Sequence, residues 1–295
     1  MRQSLSYYLT IFIIKLKGLK TDFSKDPIDV KKIRKGDMHR PKRNILEPRH
    51  LRRFKLADSL ITEIEILENS ARLLVFIHGG AFISGPAQHH WDTAKIIAKR
   101  TNFRIWMCAY PKAPENKIGK ISKNIDAIYA FALQQFPARQ ISIMGDSAGG
   151  TLAVSLVQRL IKKEIELPEK LILISPVMDA SMTNSEIPEV DRRDPMLAKA
   201  GVLSAKKLCV GNGDLKNEMI SPLYGSFKGF PPTTLFLAQN DITYPDQKRA
   251  SANFREAGVK FDAIEGKNMP HIWPLLPVMK EAKNALKEVV RILNE

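Results

Sequence analysis

The sequence predicts an α/β fold: a mostly parallel central sheet with helices packed on both faces. Three observations carry that prediction. Short, densely apolar runs alternate along the chain with segments of helical periodicity, the pattern of strands covered on both sides. Hydrophobic residues make up 44% of the 295 positions and charged residues 26%, a globular balance that excludes a disordered or fibrous chain. The length is enough for one large core that needs no covalent staples. Only Cys108 and Cys209 are present, too few for a disulfide framework and without zinc-finger neighbours. They read as small buried hydrophobes in a reducing compartment.

Taken in order, residues 49–55 and 60–67 read as short β runs. Residues 72–77 form a dense apolar strand that ends at His78-Gly79-Gly80. A helix over 91–99, a buried strand over 103–109 and a helix over 122–135 follow. Then come a strand at 140–144, a helix at 149–162 and a strand at 171–174. Residues 183–222 are punctuated by prolines and charges and break the alternation, which marks an insertion. The alternation resumes with a strand at 233–237, a helix at 247–257, a strand at 260–264 and a closing helix at 278–293. No internal repeat interrupts the series.

Charge is distributed unevenly. The chain holds 46 Lys and Arg against 31 Asp and Glu, a net +15. Residues 1–55 hold 16 basic and 5 acidic residues, so +11 of that excess sits there and only +4 on the remainder. A basic arm on a near-neutral body is compatible with nucleic acid or an anionic membrane, but reads first as a solvated, mobile leader. Nucleic acid is disfavoured because the charge lies outside the folded body. The uncharged stretch from Gln3 to Ile14 spans 12 residues, too short to cross a bilayer. Lys15, Lys17 and Lys20 follow it and no small-residue cleavage site does, which argues against a secretory signal. Leu5, Tyr8, Leu9, Phe12, Ile13 and Leu16 recur at helical spacing and predict an amphipathic helix. Such a helix covers an apolar pocket of its own protein or lies on a membrane surface, and the first role is expected to dominate. A cytoplasmic location follows, with weak peripheral membrane contact at most.

In parallel sheets the chemistry lies beyond the carboxyl ends of the strands. The 140–144 strand is followed by Gly145-Asp146-Ser147-Ala148-Gly149-Gly150, a G-x-S-x-G sequence at a strand-to-helix turn. That context is what a nucleophile elbow requires. A serine hydroxyl needs an adjacent base, and in this chain order the base comes last, after an acid. Of the six histidines only His271 lies beyond Ser147, in a loop after the 260–264 strand. The orienting carboxylate is assigned to Asp241, nearest the end of the 233–237 strand. Asp246 reads instead as the cap of the helix at 247, and Asp179 is a weaker alternative. Oxyanion donors are expected from the Ala148 amide and from Gly79 and Gly80, with Ala81 as a further candidate. The glycines do not match either phosphate-binding pattern, G-x-G-x-x-G or Gly-Lys-Ser/Thr.

Together, His78-Gly79-Gly80-Ala81, Tyr110-Pro111-Lys112-Ala113-Pro114-Glu115, the Gly145–Gly150 motif, Asp241 and His271 resemble the hormone-sensitive-lipase-like branch of the α/β-hydrolases. The similarity covers about residues 60 to 290. It implies an α/β-hydrolase fold and a carboxylesterase or lipase that acts on small acyl esters. By that resemblance residues 1–45 form an N-terminal basic cap segment, and 46–295 form the catalytic domain with a cap insertion at about 183–222. The chain departs from the family at Ala109, Pro111 and Lys112, where the usual D-Y-R-L-A-P-E becomes Ala109-Tyr110-Pro111-Lys112-Ala113-Pro114-Glu115, and at Gln239-Asn240, where a glycine usually precedes the acid. The expected reaction is acyl transfer through Ser147, with no metal or organic cofactor. An amidase or peptidase using the same three residues is the near alternative. A non-catalytic receptor on the same scaffold is the distant one, because a receptor needs no base.

Overall fold

The computed structural model describes residues 3–42, 44–67 and 70–295. Eight strands make one sheet: β1 (Leu51–Leu56), β2 (Ser59–Ile64), β3 (Arg72–Ile77), β4 (Phe103–Ala109), β5 (Ile141–Asp146), β6 (Lys170–Ile174), β7 (Thr233–Asn240) and β8 (Phe261–Pro270). Their spatial order is β1-β2-β4-β3-β5-β6-β7-β8. β1, β2 and β4 pair antiparallel, and every pairing from β4 through β3 to β8 is parallel.

Ten helices accompany the sheet among the described residues. They are α1 (Leu5–Leu16), α2 (Leu19–Phe23), α3 (Val30–Ile33), α4 (Gln88–Arg100), α5 (Ile118–Gln135), α6 (Ala148–Lys162), α7 (Ile187–Arg193), α8 (Lys199–Val210), α9 (Tyr244–Glu256) and α10 (Lys280–Asn294). The period-two alternation of the strands sorts them onto two faces. On β3, Leu73, Val75 and Ile77 join one apolar cluster with α5, α6 and α9, through residues such as Ile125, Leu152 and Phe254. Leu74 and Phe76 point the other way, into a second cluster with Trp91 of α4 and Val289 of α10. Each such side chain removed from water contributes roughly 1.5–3 kcal/mol, which is why the central strands are apolar on both faces.

Three expectations change. The last strand runs to Pro270 rather than ending at 264, because its pairing with β7 continues past an irregularity to Asn240↔Pro270. The ninth helix begins at Tyr244, with Thr243 at its N-cap, so Asp246 sits inside the first turn and does not cap it. The apolar stripe of α1 is largely exposed: Leu5 is 88%, Leu16 71% and Phe12 59% accessible. Polar contacts set that orientation. The Ser4 amide and hydroxyl donate to Glu281 at 2.7 and 2.8 Å, and the Tyr7 hydroxyl donates to the Asn268 carbonyl at 2.9 Å. These turn Tyr7, Thr10 and Ile14 inward and leave the longer stripe in solvent. No described helix is long and apolar enough to cross a membrane.

Candidate active site

Ser147, Asp241 and His271 are each the first residue beyond a strand, after β5, β7 and β8 respectively. They therefore stand together at the carboxyl edge of the sheet, where strand ends leave backbone groups free to build a site.

Ser147 occupies a turn of φ 50° and ψ −122°, a conformation disfavoured for a residue with a side chain. The surrounding chain holds it there. Its N–H donates to the Ile174 carbonyl of β6 at 2.9 Å, and its carbonyl accepts from the Thr151 N–H at 3.1 Å. Close approach demands glycine at Gly149, where a Cβ would collide with the Ile77 carbonyl of β3.

His271 Nε2 lies 2.9 Å from Ser147 Oγ, and His271 Nδ1 lies 2.7 Å from Asp241 Oδ2. Asp241 is completely buried. Its Oδ1 accepts the Thr243 N–H at 2.9 Å, and its Oδ2 also accepts from Gln247 Nε2 at 3.1 Å. After His271 the chain turns sharply at Ile272 (φ 50°), whose N–H donates to Ser175 Oγ at 3.1 Å. Burial opposes a charge on His271, but the Asp241 carboxylate, with help from Asp194 and Asp146, outweighs it and raises the imidazole above its ordinary value. Asp246 and Asp179 are engaged elsewhere. Asp246 Oδ1 accepts from Asn184 at 2.9 Å and Arg249 at 3.2 Å, while Asp179 accepts from Ser181 and from the Tyr224 hydroxyl.

The glycine loop makes a further contact beside Ser147. The Gly79 N–H donates to Asp146 Oδ1 at 2.9 Å, so the amide expected to hold an oxyanion is already engaged. Among the described residues the amides of Gly80, Ala81 and Ala148 have no such partner; Gly80 and Ala81 line the space above Ser147, and Ala148 follows that serine directly. Ala148 also opens α6, whose N-terminus favours negative charge. Asp146 thus fixes the loop from beside Ser147. Burial pushes its carboxyl up, but the His90 ring and the Gly79 amide prevail and hold it below its ordinary value. His90 Nδ1 accepts the Ala87 N–H at 2.8 Å, leaving Nε2–H to donate to Asp146 at 3.3 Å. His89, His90 and Asp146 are the one described group close enough to hold a metal. Both His90 nitrogens are occupied by these bonds, so the cluster works as a brace for the loop.

Above Ser147 lies a cavity of ≈ 200 Å³. One wall comes from residues 19–37, including Leu19 and Phe23, and another from Met196, Leu197 and Val202 of the insertion. The first wall is tied down by Arg34. Its guanidinium grips Glu115 in two bonds of 2.8 and 2.7 Å and also donates to the Ile83 and Ala113 carbonyls. That pairing holds the Glu115 carboxyl down to about 2.

Asp194 belongs to no sequence motif. It is buried between α7 and α8 and accepts the N–H groups of Met196, Leu197 and Ile242 at 2.7–2.9 Å. Burial, then the nearby Asp241 charge, pushes its carboxyl up to about 7. Nothing in its spacing marks it, since it lies in the insertion, far from any motif.

Comparison with known proteins agrees with this architecture. Residues 74–275 match a family described as alpha/beta hydrolase fold. An esterase of Acinetobacter venetianus is 29% identical over 81% of this chain and 80% of its own. An acetyl-hydrolase of Streptomyces hygroscopicus is 24% identical over 73% of each. Among solved structures, an esterase from the bacterial hormone-sensitive lipase family superposes with a TM-score of 0.87 at 22% identity, covering 100% of this chain and 99% of its own. An esterase/lipase from an uncultured bacterium gives 0.87 at 21% identity over 98% of each. At those identities the superpositions speak for the fold. The match over 74–275 spans most of the chain, which therefore belongs to the alpha/beta hydrolase fold family, where its relatives are esterases and lipases.

Proposed function

We propose that this carboxylic ester hydrolase works through an acyl-enzyme formed on Ser147. The observation that carries this reading is the unbroken line of contacts from Ser147 Oγ through both His271 nitrogens to Asp241, at 2.9 and 2.7 Å, under an apolar cavity. His271 takes the Ser147 proton as Oγ attacks the ester carbonyl, and Asp241 holds the ring in the tautomer that presents Nε2 as the acceptor. Charge developing on the carbonyl oxygen meets the amides of Gly80, Ala81 and Ala148. The proton then passes from His271 to the leaving alcohol. Water repeats the sequence to release the acid and restore Ser147.

Residues 1–45 and 183–222 act as a two-part cap, because both supply walls of the cavity. Helix α1 itself lines none of it. Its exposed Leu5, Leu9, Phe12 and Leu16, beside Lys15 and Lys17, suit contact with an anionic lipid surface. The test of the central reading is hydrolysis of p-nitrophenyl esters of increasing acyl length, together with fluorophosphonate labelling. Turnover with label mapped to Ser147 supports it. Turnover with Ser147 unlabelled overturns it.

A further inference from the structure

Lys206 is a lysine in an unusual place. It lies on the inner side of α8, is 1% exposed, and lines the same cavity as Ser147 and His271. Its Nζ sits 4.2 Å from the centroid of the Phe82 ring, in the loop that carries Gly80 and Ala81. Among the described residues it has neither a hydrogen-bond acceptor nor an ion-pair partner. The two carboxylates that border the cavity are otherwise engaged: Asp37 Oδ1 accepts the Gly85 N–H at 2.6 Å, and Asp146 is held by Gly79 and His90.

An unpaired ammonium removed from water is unfavourable, and a methionine or leucine would fill the same apolar wall without that cost. A ring face offsets part of the desolvation but satisfies none of the three N–H donors. The same side chain lines the space that a substrate must enter. We propose that Lys206 selects esters carrying a carboxylate remote from the scissile bond, with that carboxylate completing the ion pair the protein itself leaves open. This rests on the serine-hydrolase reading above and names its substrate class. The other walls, Leu19, Phe23, Leu197 and Val202, suit the apolar spacer that would separate the two ends of such a substrate. Burial pushes the free Lys206 ammonium down to about 7, and a bound carboxylate would restore its charge.

The test compares matched pairs in the full-length wild type and Lys206→Met. On the acyl side the pair is p-nitrophenyl hexanoate and the p-nitrophenyl monoester of adipate; on the alcohol side it is phenyl butyrate and 4-carboxyphenyl butyrate. For one pair, the acid-to-neutral ratio of kcat/KM should fall roughly tenfold to a hundredfold in the variant, the range for a lost charged hydrogen bond. The pair that responds identifies the end of the substrate that Lys206 reads. A lysine that only props Phe82 would lower both members alike, so unchanged ratios in both pairs overturn the proposal while neutral-ester turnover leaves the hydrolase reading intact. If the wild type hydrolyses none of the four, that reading fails, and calorimetry decides on Lys206 separately. Monomethyl adipate should then bind Ser147→Ala more tightly than the Ser147→Ala, Lys206→Met double variant, and equal binding overturns the proposal. Lys206→Gln replaces Lys206→Met should the latter not fold.

Discussion

Asp194 reaches across from the insertion to the loop of Asp241, where its Oδ2 accepts the Ile242 N–H at 2.9 Å. The same carboxylate receives Met196 and Leu197, two walls of the cavity, through Oδ1. One side chain therefore sets both the position of the proposed acid loop and that of the cap wall. It also adds a second acidic group near His271, beyond the Asp241 partner that touches it.

That arrangement predicts a pH effect with a definite sign. The proposed base must be unprotonated, so kcat/KM on a soluble ester should rise with pH through the His271 titration. Burial alone would lower that midpoint, but Asp241, Asp194 and Asp146 together raise it above the ordinary histidine value. Asp194, pushed up to about 7, carries its charge only over the upper part of that limb, so Asp194→Asn should move the limb to lower pH only there, as pH–rate profiles of the two proteins would reveal. An upward shift would contradict the assignment. The variant should also unfold more easily, since Asn keeps one oxygen for the Met196 and Leu197 amides but sets an NH2 group against the buried Ile242 N–H.

Ser147→Ala and His271→Ala should each lower turnover on the order of a million-fold, and the double variant should be little worse than either. Asp241→Asn should cost about ten-thousand-fold, because an amide in place of the carboxylate leaves the imidazole in the wrong tautomer. Single-turnover kinetics with a p-nitrophenyl ester measures all of these. Near-normal turnover in His271→Ala would remove it from the mechanism.

Asp246 provides the control for Asp241. It lies in the first turn of α9, where a negative charge favours the helix, and it pairs with Arg249 and Asn184. Losing the helix-terminal charge costs roughly 0.3–1 kcal/mol. Asp246→Asn should therefore lower the melting temperature by about 1–4 °C and leave kcat close to wild type. Calorimetry and steady-state assays on one preparation suffice, and a turnover loss like that of Asp241→Asn would transfer the orienting role to Asp246.

These contrasts mark what the sequence could and could not disclose. His271 was legible because no other histidine follows Ser147, and Asp241 because a strand end delivers it. Both arguments use chain order, which the parallel sheet converts into position. Asp194 and Lys206 lie in the insertion, where chain order says nothing about which side chains face inward. The bond that engages the Gly79 amide is hidden for a related reason, since its acceptor, Asp146, is fixed by a histidine 56 residues earlier in the chain. The extent of β8 was hidden because Glu265–Asn268, with Gly266 and Lys267, is polar, and its pairing with β7 rather than its own apolar pattern keeps it extended.

Helix α1 carries the last prediction. Apolar periodicity from Leu5 to Leu16 implied burial, yet that stripe faces solvent while Tyr7, Thr10 and Ile14 hold the helix to the body. Several large exposed side chains on one helix make a patch that monomeric proteins rarely leave uncovered. Inserting each into lipid would contribute up to roughly 1.5–3 kcal/mol, and each nearby lysine adds about 1 kcal/mol on an anionic surface. The protein should therefore cosediment with phosphatidylserine vesicles more strongly than with phosphatidylcholine, and added salt should weaken that preference by screening the lysines. Leu9→Glu with Phe12→Glu should abolish vesicle binding. Because Leu19 and Phe23 wall the cavity and α1 does not, the same variant should keep the wild-type acyl-length profile on soluble esters. A changed profile with vesicle binding intact would mean that α1 closes over the cavity during turnover, and would return the stripe to the cap.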